Sequence, residues 1–90
     1  MDAEKYMRIA LGLAREAFRD GDVPVGCVVT DARGAILGRG RNRRESGRNA
    51  VAHAEIEAIE QACRALGTWR LEGCALYVTL EPCAMCAGAS

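Results

Sequence analysis

The chain has 90 residues, 50% of them hydrophobic and 27% charged, with a formal net charge of +0; this fits one soluble globular domain or part of one and argues against a general polyanion binder. No apolar run approaches the roughly 20 residues of a membrane span, and the opening MDAEKYMRIA is too charged for a secretory signal, so no membrane partner is expected. Five cysteines without an export signal point to a reducing, cytoplasmic setting.

Over about residues 2–20, Tyr6, Met7, Ala10, Leu11, Leu13, Ala14, Ala17 and Phe18 recur at intervals of three and four, with Lys5, Arg8, Arg15 and Arg19 largely opposite. That periodicity predicts an amphipathic helix, with Asp2 as its N-cap and Gly21 as its stop. Residues 23–30, VPVGCVVT, are apolar on both alternating sets, as in a strand covered on both faces. Asp31, Ala32, Arg33 and Gly34 then make a turn, and residues 35–39 return as the second strand of a hairpin. Polar residues 40–47 predict a loop.

Asn49 is expected to cap a second helix reaching about Leu66, with Ile56, Ile59, Cys63 and Leu66 on its buried stripe and Gly67 ending it. Residues 74–80, CALYVTL, predict a third strand, and Pro82 opens a third helix that is still running at Ser90. Cys27, Cys63 and Cys74 lie in apolar surroundings and are expected to be small buried hydrophobes. Helix, strand, strand, helix, strand, helix implies a mixed sheet flanked by helices, with its chemistry at strand ends beside helix N-termini.

The residues that carry chemistry are His53-Ala54-Glu55 and, downstream, Pro82-Cys83-Ala84-Met85-Cys86. The pattern H-x-E followed by P-C-x-x-C is the established signature of zinc-dependent base deaminases, and this chain matches it at each position. Its chemistry is consistent with the ligand count. His53, Cys83 and Cys86 supply three ligands, and catalytic Zn²⁺ keeps its fourth position for water, whose pKa it lowers toward roughly 7. Glu55 is then the proton shuttle and not a ligand.

Cys83 and Cys86, three apart after Pro82, would share one face of a helical first turn, whose dipole favours thiolate. His53 and Glu55, two apart, point in directions differing by about 200° on a regular helix. The expectation is therefore two helix N-termini facing one metal, with His53 and Glu55 in a first turn.

Taken with Tyr6-Met7, Asp22-Val23-Pro24-Val25-Gly26, Arg41-Asn42, Ala52-His53-Ala54-Glu55-Ile56 and residues 76–83, LYVTLEPC, the chain resembles the bacterial tRNA-specific adenosine deaminases of the TadA type, within the cytidine deaminase-like superfamily. The resemblance runs along nearly the whole chain. It implies an α/β, three-layer α/β/α fold with a mixed central sheet, of which this is the N-terminal portion. It also implies hydrolytic conversion of adenosine to inosine at the wobble position of a tRNA anticodon stem-loop, with Zn²⁺, by a homodimer. By the same resemblance Asn42 and the backbone around Val25 and Ala54 would hold the flipped base.

Ala84 stands where many members have proline, and Cys27 where alanine is common. The chain ends inside the expected third helix, so residues 1–90 read as a zinc deaminase domain incomplete at its C-terminus, with the third strand left as an exposed edge and the chain alone inactive.

Arg39, Arg41, Arg43, Arg44 and Arg48 crowd one short loop, diluted by Glu45, and Arg41, Arg43 and Arg44 are candidate RNA contacts. Two other readings stand beside this one. The first is a deaminase of a free base or nucleotide, such as guanine or dCMP, because the zinc chemistry is shared. The second is an inactive zinc-binding fragment or partner subunit, against which the retention of Glu55 argues.

Overall fold

The computed structural model describes residues 3–43, 48–68, 70–79 and 82–84, the last three by backbone alone. It contains α1 (Ala3–Arg19), β1 (Gly26–Thr30), β2 (Ile36–Arg41), α2 (Arg48–Leu66), β3 (Ala75–Val78) and β4 (Pro82–Ala84). The strands form one sheet in the order β2-β1-β3-β4. Every pairing among the described strands is antiparallel, so the parallel component of the expected mixed sheet is not found among them.

The helices cover opposite faces of this sheet, which gives the α/β/α layering. Side chains of a strand alternate between faces. On β1, Cys27 and Val29 join Ala50, Ala54, Ala58 and Ala62 of α2, together with Val25, Leu76 and Val78. Val28 and Tyr77 point the other way, onto Tyr6 and Ala10 of α1. All five residues of β1 are buried, as its doubly apolar sequence predicts.

Both helices end as their glycines dictate. Gly21 (φ 84°) donates to Phe18 O and Asp22 N–H reaches back to Ala17 O; Gly67 (φ 71°) is followed by Thr68 N–H on Cys63 O. This is the left-handed glycine stop that satisfies the last free carbonyls of a helix. The expected N-cap Asp2 lies outside the described residues, and Asn49 falls inside α2, one residue past its start. The β1–β2 hairpin turns on Asp31, whose Oδ1 accepts the N–H groups of Arg33 and Ala35, both at 2.9 Å.

Two expectations are corrected. The buried stripe of α2 is Ala50, Ala54, Ala58 and Ala62, each 0% exposed, whereas Ile56 is 56% exposed and Leu66 41%. Ile59 packs only partly against this core, and Cys63 is half-buried. The cause lies in β2. A Cβ built on Gly38 would stand 2.0 Å from Ala58 O, and one on Gly40 2.0 Å from Ala54 O, so helix and strand backbones approach too closely for side chains larger than methyl between them.

The second correction concerns Pro82, which opens β4 and not a helix. Tyr77 pairs with Pro82, Leu76 with Cys83 and Ala75 with Ala84, so β3 is not left as an edge. Proline is tolerated there because the first position of an edge strand can dispense with an N–H donor. The remainder of the expected third helix lies outside the described residues.

Candidate functional site

The start of β1, the end of β2 and the end of β3 meet at one end of the sheet, since Gly26 pairs with Arg41 and Cys27 with Val78. Thr79 N–H donates to Gly26 O at 3.1 Å and extends that junction. α2 lies over the same end, because Ala54 shares a core cluster with Val25, Cys27 and Val78. Three of the expected site residues, Val25, Ala54 and Asn42, are thus brought together here.

Asn42 is 0% exposed. Its N–H donates to Val25 O at 3.0 Å and its Nδ2 to Val23 O at 3.0 Å, so it binds the segment before β1 to the end of β2. A buried amide must be paired in this way, since an unpaired one costs about 1–3 kcal/mol. A sequence reading sees an ordinary loop asparagine; the structure shows a fully buried bracket.

His53 and Glu55 lie in the second and third turns of α2, not the first, and both are half-buried. Each is turned by about 100° from Ala54, which faces the sheet, so the two straddle it along the same wall. The negative charge of Glu55 is felt at Cys27 below. Burial first, and then that charge, push the Cys27 thiol up to about 12. Cys27 is accordingly a neutral thiol beneath the site, the small buried hydrophobe expected of it.

One turn beyond His53, Glu57 was not anticipated. Its Oε1 accepts the Arg41 N–H at 2.9 Å and its Oε2 accepts Arg43 Nε at 2.7 Å. Burial acts to raise its carboxyl, but Arg43, the Arg41 N–H and His53 outweigh it and hold the group below the usual carboxylate range. The signal was present in sequence as an acid four residues after a histidine, which places both on one helix side.

The arginines do not act as one patch. Arg41, whose side chain is 15% exposed, turns to the end of α1 and donates to Asp20 at 2.7 Å, with Glu16 at 3.9 Å. Arg43 is paired with Glu57, and Arg39 is exposed. Arg44 lies outside the described residues, and the side chain of Arg48 is likewise not described.

Among the described residues no three His, Cys, Asp or Glu side chains form a metal-holding group. His53 is described, Cys83 is placed only by its backbone opposite Leu76, and Cys86 lies outside the described residues. The donor chemistry of one imidazole and two thiols suits zinc, whose ligands are nitrogen and sulfur. Among the described residues, no helix is long and apolar enough to cross a membrane.

Known proteins are similar to this chain in sequence and in fold. Residues 1–90 match the family described as the cytidine and deoxycytidylate deaminase zinc-binding region. The chain is 54% identical over 86 residues to the tRNA-specific adenosine deaminase of Bacillus subtilis (strain 168), covering 96% of this chain and 53% of that protein. It spans about half the length of the curated tRNA-specific adenosine deaminases it matches.

A solved structure from "Biochemical and Structural Studies of A-to-I Editing by tRNA:A34 Deaminases at the Wobble Position of Transfer RNA" superposes with a TM-score of 0.75 at 48% identity, covering 99% of this chain and 68% of that one. The X-ray structure of guanine deaminase from Bacillus subtilis gives the same TM-score of 0.75 at 40% identity, covering 99% of this chain and 57% of that one.

Proposed function

The chain belongs to the cytidine and deoxycytidylate deaminase zinc-binding family, and from that premise we propose that it carries the metal-binding half of a zinc-dependent hydrolase that deaminates adenosine to inosine at the wobble position of a tRNA anticodon. The observation that carries this reading is the turn of α2 on which His53 and Glu55 straddle the buried Ala54, above Val25 and Cys27. The 54% identity to a tRNA-specific adenosine deaminase favours tRNA as the substrate.

His53, Cys83 and Cys86 would hold the zinc. When bound, it supplies a Lewis acid that makes water nucleophilic near neutral pH. Glu55 takes one proton from the attacking water and delivers it to the purine ring nitrogen, then carries the proton of the hydroxyl left on the ring carbon to the departing amine, so that adenosine and water give inosine and ammonia. Asn42, with the backbone around Val25 and Ala54, forms the wall that holds the extruded base. Because Asn42 Nδ2 is committed to Val23 O, it shapes that wall by fixing residues 23–25.

Arg43, half exposed, and Arg44 are the proposed phosphate contacts, while Arg41 is engaged by Asp20. Action on tRNA implies a cytoplasmic enzyme, and the complete protein is proposed to be a homodimer.

A second reading, deamination of a free purine such as guanine, is favoured by the equal structural likeness to guanine deaminase. Ammonia release by the full-length protein from an adenosine-bearing anticodon stem-loop, from guanine and from dCMP separates them. Turnover of the stem-loop is expected to be at least about a hundredfold above that of the free compounds, the scale that loss of flanking contacts imposes. Faster turnover of guanine would replace the first reading with the second.

A further inference from the structure

Resting on the deaminase reading, we propose that Glu57 is a positioning residue: by holding Arg41 and Arg43, the two neighbours of Asn42, it fixes the base-holding segment against the turn of α2 that carries His53 and Glu55. β2 ends at Arg41; Asn42 still bonds to Val25 O through its N–H and to Val23 O through Nδ2, and Arg43 lies beyond the strand. Glu57 acts at this point. One carboxylate oxygen takes the last outward N–H of β2 and the other takes the guanidinium two residues on, so a single side chain spans Asn42.

The substrate would have to touch both elements at once, its base against the Asn42 wall and its reacting amine near Glu55. A displacement of about 1 Å between such elements can cost about a hundredfold in rate. Gln61, one turn farther along α2, makes the equivalent backbone bond to Arg39 N–H at 3.0 Å but acts two strand residues earlier, away from Asn42. It is an internal control, equal in kind to half of the Glu57 tie and removed from the site.

The test compares wild type, Glu57→Leu, Glu57→Gln and Gln61→Leu in the zinc-loaded full-length protein. It measures zinc content, Tm, KM and kcat for the stem-loop, and hydrogen exchange at the Asn42 amide. Glu57→Leu is expected to keep its zinc, to lose about tenfold in kcat/KM and to exchange the Asn42 amide about tenfold faster. Glu57→Gln keeps an oxygen for the Arg41 N–H and should recover part of both. Gln61→Leu should lower Tm comparably, yet stay within about twofold of wild type in kcat/KM.

Equal losses of kcat/KM in the two leucine variants would reduce Glu57 to a stability role and overturn the proposal. Unchanged exchange at Asn42 in Glu57→Leu would overturn it as well. A zinc-loaded wild type that left the stem-loop untouched would sink the deaminase reading, and the exchange measurement would still decide whether Glu57 orders Asn42.

Discussion

Cys27 illustrates how burial decides the behaviour of a single side chain. With its pKa raised from 9.0 to about 12, first by desolvation and then by Glu55, it holds its proton in the folded protein at pH values where an unfolded chain releases it. Folding is therefore favoured by this group below about 9, and that contribution is lost as pH rises toward 12. Wild type should lose stability across this alkaline range more steeply than Cys27→Ala, as read from denaturation midpoints; equal slopes would contradict the assigned environment. Among Cys27, Cys63 and Cys74, alkylation of native protein at pH 8, mapped by mass spectrometry, should spare Cys27 and reach the half-buried Cys63 first.

Asn42 makes the second residue-scale prediction. Asn42→Ala strands the Val23 carbonyl, and denaturant unfolding should show a loss of about 1–3 kcal/mol. A motif names His53, Glu55, Cys83 and Cys86, and of these the structure describes the side chains of His53 and Glu55, both on α2. The bracket role of Asn42 and the tie made by Glu57 were not legible, because both depend on partners 14 to 19 residues away in sequence.

Between elements, the contact of α2 with β2 shows why hydrophobicity misleads as a guide to burial. The large residues Ile56, Ile59 and Leu66 stood out in sequence, yet alanines at every fourth position face the sheet, matched to Gly38 and Gly40 across from them. That stripe was present in the sequence, but its meaning required knowing which strand it meets. Gly40→Ala places a methyl against the Ala54 carbonyl, backbone against which no side-chain rotation gives relief. The expected cost is about 1–3 kcal/mol, measured by denaturant unfolding, and a neutral effect would mean that helix and strand are not in this close contact. The hairpin and both helix stops were readable because a turn aspartate and two glycines act locally. Pro82 was not, since proline serves equally as a first helical residue and as the opening of an edge strand, and only pairing with Tyr77 selects between them.

At the scale of the molecule, the three layers bring the end of β2, the start of β1 and one turn of α2 to a single place, and two kinds of charge meet there. The net charge is +0, so the proposed action on tRNA requires that attraction to RNA come from local arginines and not from the whole surface. Replacing Arg43 and Arg44 with alanine in the full-length protein should flatten the salt dependence of stem-loop affinity by about 1–2 in log–log slope, and an unchanged slope would remove this segment from the interface. The zinc site bears on stability as well as on chemistry, since a metal bound only by the folded state stabilises it.

The most direct measurement sets zinc content against inosine yield for wild type, Glu55→Ala and Cys83→Ala in the full-length protein. A shuttle carboxylate beside a three-ligand zinc predicts zinc with turnover in the first, zinc with turnover reduced by about a hundredfold or more in the second, and loss of both in the third. Undiminished turnover in Glu55→Ala, or in metal-free Cys83→Ala, would contradict it.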